Sequence, residues 1–323
     1  MERDSYIDFL RSIGLILVIL AHVSAPNFLT QLRNFDVPLM VFVSGLSYSG
    51  KQINGNGWFL QRMGRLIIPV YFFLTLFFLL NHLVGRGYPC DKIAYTFLMC
   101  VKGSIGYIWI IKVFLFMMLL TPLLININNN LNRVQKWIII GSLFLLQEVS
   151  SVLLNNSIMI VSESVPYVFG YAALFLAGLE LKTSHRIIIA TVSLTSLLLF
   201  IIVHWLFYRF YMVNDLSPFY KYPPRLNYLL YGLSMCSIFW FLKPWGSKLS
   251  NFALFRFLGQ STIWIYLWHI PLVMIMLNLS SNWMIRYLVV LGGATFIYYV
   301  QFVIVNKLQV KRPSWSFLKY FKG

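Results

Sequence analysis

Apolar runs of about twenty residues recur along almost the whole chain and constrain it more than any other feature. Hydrophobic residues make up 59% of the sequence and charged residues only 11%. A helix of about twenty apolar residues crosses a bilayer with all its backbone groups bonded internally. We therefore predict an all-α polytopic membrane protein with about ten transmembrane helices and no soluble domain. The predicted spans are residues 10–26, 36–49, 66–84, 104–125, 136–154, 165–181, 187–207, 226–243, 260–278 and 284–305.

The formal net charge of +17 is distributed as membrane topology predicts. If the amino terminus is cytoplasmic and all ten spans are real, the inner segments carry roughly twice as many lysines and arginines as the outer ones, a bias typical of cytoplasmic loops. The pattern predicts two cytoplasmic termini and no nucleic-acid partner. It also divides the chain into a transmembrane domain, residues 1–306, and a basic cytoplasmic tail, residues 307–323, that contacts anionic lipid.

Arg11 and His22 lie in one apolar run and are separated by ten residues. At about 100° and 1.5 Å per residue, both side chains project from the same helix face, roughly 16 Å apart along the axis. If Arg11 lies at the membrane edge, His22 lies near the middle of the bilayer. An ionisable side chain at that depth is expensive, so we treat His22 as a candidate catalytic residue.

Four further polar residues are predicted at a similar depth when their distances from the span ends are counted along each helix. A histidine, a glutamate and a serine in one layer would suit proton transfer, with the glutamate orienting the imidazole. These residues are Ser44, Lys112, Glu148 and His269.

Each of these residues also has a purely structural interpretation. His22 would then be a buried histidine bonded to a neighbouring helix, and Glu148 would form an ion pair with Lys112. His269 precedes Pro271, so its ring would only satisfy a carbonyl that the proline leaves free. The Ser44–Gly45 pair would be a small-residue contact between helices.

Arg62 and Arg65 stand one turn apart where the third span enters the membrane. Positive residues in a cytoplasmic loop anchor most membrane proteins, and composition alone favours that interpretation. Paired guanidinium groups also match the geometry of phosphate, so the same residues are candidates for binding a phosphorylated cytoplasmic ligand.

The order of these motifs resembles the integral-membrane acyltransferase family 3, which O-acetylates surface glycans in bacteria. The resemblance spans nearly the whole chain, but Val41 replaces a family aromatic residue and Lys112 has no place in the pattern. The matching motifs are Asp8-Phe-Leu-Arg11 with His22, Pro38 to Ser44-Gly45, Arg62-x-x-Arg65 to Tyr71, Trp109 to Pro122, and Gly259 to His269.

The resemblance implies a multi-pass enzyme of the bacterial cytoplasmic membrane that moves an acetyl group from acetyl-CoA to a hydroxyl of a cell-surface or lipid-linked glycan. We expect no permanently bound cofactor and no metal; the three cysteines lack metal-ligand spacing. His22 would act as general base or acyl relay, with Glu148 beside it. The expected substrate contacts are Arg11, Ser44, Arg62, Arg65, Lys112 and His269.

Two interpretations from other classes remain open at this level. A transporter or flippase for a polysaccharide or lipid-linked sugar also uses charges near the membrane midplane, and it would show paired broken helices. A non-catalytic scaffold of polysaccharide assembly would tolerate replacement of Arg11 and His22. We find no internal repeat in the sequence that favours the transporter.

Overall fold

The computed structural model describes residues 4–48, 55–216 and 219–322, and within these ranges the chain forms helices and no β-strand. The ends of the predicted domains (residues 1–3 and 323) and the last residue of the second predicted span (residue 49) lie outside the described residues. The helices are α1 Ser5–Leu20, α2 Asn27–Leu32, α3 Asp36–Leu46, α4 Gly55–Leu83, α5 Cys90–Phe97, α6 Trp109–Asn130, α7 Arg133–Leu153, α8 Met159–Ser162, α9 Phe169–Lys182, α10 Arg186–Tyr211, α11 Leu226–Phe241, α12 Lys243–Gly246, α13 Ala253–Gln260, α14 Thr262–Leu279 and α15 Trp283–Lys311.

Among the described residues, seven helical segments are long and apolar enough to cross a membrane. Each predicted span corresponds to a helix, so the prediction of an all-α polytopic membrane protein is confirmed. The predicted count of ten spans is not confirmed, because three of the corresponding helices are shorter than the roughly twenty residues that cross a bilayer. α1 has 16 residues, α3 has 11 and α11 has 16. The seven segments are Phe59–Leu83, Trp109–Asn130, Arg133–Leu153, Met159–Lys182, Arg186–Tyr211, Thr262–Leu279 and Trp283–Lys311.

The short helix α3 lies at the centre of the bundle, where it packs against α1, α9 and α11. Most of its side chains are buried, among them Leu39, Val41 and Phe42; Met40 and Ser44 on one face are only partly buried. A helix that is apolar all round is typical of a protein core or of a membrane span. Val41, where the family pattern has an aromatic residue, is fully buried in this packing.

Glycines allow α3 and α9 to cross in near backbone contact. A Cβ added at Gly45 would overlap the carbonyl oxygen of Phe175, and one added at Gly178 would overlap that of Phe42. Small residues permit such approaches between membrane helices. The small-residue interpretation is thus confirmed for Gly45, whereas its neighbour Ser44 lines a cavity described below.

The carboxyl-terminal residues fold back onto the bundle. α15 continues without a break past residue 306, and the short 3-10 turn Ser316–Phe321 returns to α14 and α15. The Trp264 indole donates to the Tyr320 carbonyl oxygen at 3.0 Å, and the Gln301 amide donates to that of Phe321 at 2.9 Å. Part of the basic tail is therefore attached to the membrane domain; its contact with lipid stays a prediction.

We expect Gly45→Ala to destabilise the bundle, since overpacking of this kind costs about 1–3 kcal/mol. The matched control is Gly141→Ala, because no atom lies within 4 Å of the Cβ added there. Thermal unfolding in detergent, followed by fluorescence-detected size exclusion, should show a lower midpoint for Gly45→Ala only. Equal midpoints for the two variants would contradict the close crossing.

Candidate active site

A cavity of about 360 Å³ opens at the end of the bundle where α4 and α14 begin and α3 ends. Its apolar walls come mainly from α6 and α14, and its polar side chains come from α1, α3, α4 and the turn after α3. We call this space the arginine cavity. Its main polar lining residues are Arg11, Ser44, Ser47, Tyr48, Arg62 and Arg65.

The Arg11 guanidinium is fixed from two sides. It donates to the Asp8 carboxylate at 2.8 Å, within α1, and to the Ser47 hydroxyl at 2.7 Å, at the end of α3. Ser44 lies one turn earlier, where its hydroxyl donates to the Met40 carbonyl oxygen at 2.9 Å. Because this bond uses the Ser44 proton within its own helix, the hydroxyl oxygen remains available to the cavity as an acceptor.

Arg62 and Arg65 complete the polar rim. The Arg62 guanidinium donates to the Tyr48 hydroxyl and lies over the Tyr48 ring, 4.5 Å from its centre. Arg65 is exposed and forms no ion pair with any residue that the structure describes. Three guanidinium groups and Ser44 thus share one cavity in which Asp8 bonds one of the arginines. The excess positive charge suits a ligand with several anionic groups.

His22 and His269 lie in direct contact, although they are 247 residues apart. His22 follows the last turn of α1, and its Nδ1 lies 3.1 Å from Nε2 of His269 on α14. The two rings stack with their centres 5.1 Å apart. The other nitrogen of His269, Nδ1, bonds the carbonyl oxygen of Tyr266. His269 does bond a carbonyl oxygen, but it is that of Tyr266 and not that of Leu267, the carbonyl which Pro271 leaves without its N–H partner.

This chain of bonds determines which nitrogen carries each proton when both rings are neutral. A carbonyl oxygen only accepts, so Nδ1 of His269 must carry its proton and Nε2 must accept. His22 then donates through Nδ1, which leaves its own Nε2 with a free lone pair. His269 consequently orients His22 and selects the tautomer in which Nε2 of His22 can accept a proton.

The space around His22 is narrow. A cavity of about 20 Å³, enough for about one water molecule, is bordered by His22, Asp36, Tyr107 and Lys221. Tyr266 lines both this cavity and the arginine cavity, and its hydroxyl donates to the Tyr107 carbonyl oxygen. We call the small cavity beside His22 the histidine cavity. Tyr266 therefore stands between the arginines and the imidazole in this conformation.

A buried charged cluster beside the histidine cavity escaped the sequence analysis. The Asp36 carboxylate accepts from Arg33 at 2.5 Å and from the Lys221 ammonium at 3.0 Å, and all three side chains are buried. Burial lowers the pKa of Lys221 to about 8, against the attraction of Asp36. Two cations share one carboxylate here. The available signal was a carboxylate at the start of an apolar helix with an arginine three residues before it.

The predicted contact between Glu148 and His22 is wrong. Glu148 pairs with Arg225 at 2.5 Å and accepts from the backbone N–H of Leu226 at 2.9 Å. It thereby caps the first turn of α11, where a negative charge is favourable. The depth of Glu148 along its helix says nothing about which neighbour the side chain faces, and the alternative ion pair with Lys112 is wrong for the same reason.

Lys112 also lies outside the site. Its ammonium is 3.5 Å from the Glu163 carboxylate and 5.2 Å from the centre of the Tyr167 ring. Glu163 additionally accepts from the backbone N–H of Val101 at 2.7 Å, so the pair fastens the segment before α6. Neither Lys112 nor Glu148 lines the arginine cavity or the histidine cavity. Of the four residues predicted at the depth of His22, only His269 contacts it.

The fold and these cavities define a polytopic membrane protein with a coupled histidine pair next to an arginine-lined cavity. The family model described as an acyltransferase domain matches residues 4–305. The chain belongs to this family, acyltransferase family 3, and is a membrane acyltransferase. The match does not favour a transporter or flippase. No curated protein and no solved structure matches the chain significantly.

Crosslinking tests the contact between His22 and His269 directly. In a chain with Cys90, Cys100 and Cys236 replaced, we expect cysteines at positions 22 and 269 to be joined by a short bifunctional thiol reagent in membranes. The same reagent should not join positions 22 and 148, whose side chains have separate partners. The measurement is the mass of the linked peptide, and a 22–148 product without a 22–269 product would refute the site geometry.

Proposed function

We propose that the protein is an O-acetyltransferase of the bacterial cytoplasmic membrane, with His22 as general base. It would transfer acetyl from acetyl-CoA to a hydroxyl of a cell-surface or lipid-linked glycan. The observation that carries the proposal is the hydrogen-bonded His22–His269 pair, which leaves Nε2 of His22 free, one side chain away from the arginine cavity. Family membership supplies acyl transfer as the reaction class.

The arginine cavity is the proposed donor site. Arg11, Arg62 and Arg65 would bind the phosphates of acetyl-CoA, which guanidinium groups bind well. The acetyl end would then extend past Tyr266 to His22. Since acetyl-CoA is a cytoplasmic metabolite, this end of the bundle would face the cytoplasm. This orientation agrees with the excess of basic residues in the predicted inner segments, from which two cytoplasmic termini are predicted.

The proposed reaction uses the lone pair on His22. The glycan hydroxyl attacks the thioester carbonyl while its proton passes to Nε2 of His22. The carbonyl oxygen becomes negative in the tetrahedral intermediate. The Lys221 ammonium, on the wall of the histidine cavity, stabilises that charge. The C–S bond then breaks, and the coenzyme A thiolate takes the proton from His22.

An acyl relay is the variant of this route. In a relay, Nε2 of His22 attacks the thioester first and carries the acetyl group to the sugar hydroxyl. Both routes need the same unprotonated nitrogen, so the geometry supports each of them. Incubation with acetyl-CoA alone separates the two: acetyl on His22 is detected by mass spectrometry only if a relay operates.

We expect His22→Ala to lower the rate of glycan acetylation by about 10²- to 10⁴-fold, the usual contribution of a positioned acid–base group. The matched control is His185→Ala, because His185 is exposed and its side chain has no polar partner among the described residues. The readout is O-acetyl mass on the glycan at equal amounts of membrane protein. Full acetylation by His22→Ala would refute the role of His22.

Arg65→Ala should raise the apparent KM for acetyl-CoA by about ten-fold, with a smaller change in kcat, because a charge-assisted contact to phosphate is lost. Arg312→Ala is the control, an exposed arginine just after α15 that lines neither cavity. Initial rates over a range of acetyl-CoA concentrations decide the question. A change confined to the KM for the glycan would assign Arg65 to the acceptor instead.

A further inference from the structure

The carboxyl-terminal turn, Ser316–Phe321, contacts three helices at once. The Phe321 ring packs edge-on against Phe72 of α4, with the ring centres 5.0 Å apart, and stacks on Trp264 of α14 at 5.4 Å. On α15, the Gln301 amide holds the Phe321 carbonyl oxygen at 2.9 Å. The turn therefore joins α4 to α14 and α15 with aromatic contacts on one side and a backbone hydrogen bond on the other.

Tyr320 contacts α4 at Gly64, the residue directly before Arg65. A Cβ added at Gly64 would lie 3.0 Å from Cε1 of Tyr320 and 3.1 Å from its hydroxyl oxygen. A side chain at Gly64 would displace the ring, so glycine lets Tyr320 rest against the helix itself. The carbonyl oxygen of Tyr320 accepts from the Trp264 indole at 3.0 Å. One tail residue thus bridges α4 and α14 beside an arginine of the cavity rim.

The half of α4 that carries Arg62 and Arg65 is weakly packed. Between residues 57 and 68, no residue whose side chain the structure describes is buried, and burial begins at Pro69. A segment with few buried contacts opens locally at low cost in free energy. The contact of Tyr320 with Gly64 falls inside this segment, so the tail stabilises the part of α4 that most needs support.

We infer that the carboxyl-terminal turn positions the arginine-bearing half of α4, with Tyr320 and Phe321 as positioning residues for the arginine cavity. The turn lies beyond residues 4–305, which the acyltransferase domain covers. It ties α4 to α14, which lines the same cavity through Thr262 and Ile263. A rim that is held in place binds its ligand without first having to be ordered. That the ligand is acetyl-CoA rests on the proposed function.

The test compares two pairs of aromatic residues in the same tail. Tyr320→Ala/Phe321→Ala removes the rings that contact α4 and α14. The matched control is Trp315→Ala/Phe317→Ala, because these rings stack on each other at 5.8 Å and are 42% and 52% exposed. Tyr320→Phe keeps a ring on Gly64 and is the conservative variant. If the double tail variant does not insert into the membrane, Tyr320→Ala alone replaces it.

The first measurement follows α4 without any substrate. Spin labels are attached at Leu60 of α4 and Leu254 of α13, both 59% exposed, after the three native cysteines are replaced. α13 packs against α1 and provides the reference. We expect electron–electron resonance to show a broader distance distribution in the tail variant, and the wild-type distribution in the control and in Tyr320→Phe. An unchanged distribution in the tail variant overturns the inference.

The second measurement is kinetic. We expect the tail variant to raise the apparent KM for acetyl-CoA by about five-fold and to change kcat and the KM for the glycan by less than about two-fold. The physical reason is that the arginine rim loses its support while the histidine pair keeps its contacts. Tyr320→Phe and the control should keep the wild-type KM. A merely structural role would lower the amount of folded protein and the apparent kcat with KM unchanged, and that result overturns the inference.

Failure of the inference differs from failure of the proposed function. A tail variant with a broadened label distance, in a protein that never consumes acetyl-CoA, retains the positioning role of the turn and loses the acetyltransferase assignment. A protein that acetylates a glycan while the tail variant keeps both the wild-type label distance and the wild-type KM retains the acetyltransferase assignment and loses the positioning role.

Discussion

The hydrogen bond between His22 and His269 links α1 to α14 and connects the backbone to the chemistry of the site. In a low-dielectric interior a charged imidazole is costly, so the pair is best accommodated with one proton on each ring. The Tyr266 carbonyl, three residues before His269, then decides where both protons reside. The position of the proton on His22, just after α1, is thus set by the Tyr266 peptide group of α14.

Three carboxylates of this protein hold helices and connecting segments in place. Glu148 holds the start of α11, Glu163 fastens the segment before α6, and Asp36 gathers Arg33 and Lys221. A buried charge within a membrane protein is tolerable only with a partner, and each of these acids has one. The base in the proposed reaction is accordingly an imidazole, which is neutral and needs no counter-ion.

Much of the fold follows from local properties of the sequence, and the site follows only in part. Hydropathy locates the helices, and helical periodicity relates Arg62 to Arg65 because those relations depend on neighbours in the chain. The depth argument put His269 and Glu148 at the level of His22, but only His269 contacts it, and the contact predicted for Glu148 is wrong. Depth is one coordinate, whereas contact also requires the direction of each side chain around its helix. The Asp36–Lys221 bond joins residues 185 positions apart, and no local pattern encodes it.

The position of Tyr266 has a consequence for the membrane as well as for the reaction. The arginine cavity and a second cavity, of about 590 Å³ between the last turns of α4 and the second half of α14, lie at opposite ends of the bundle. A continuous water-filled passage between them would let protons and ions leak. The histidine cavity has a volume of only about 20 Å³, and Tyr266, which donates to the Tyr107 carbonyl oxygen, lines its wall. One tyrosine and two imidazoles thus separate the two cavities in this conformation, which would preserve the permeability barrier of the membrane during the proposed acetyl transfer.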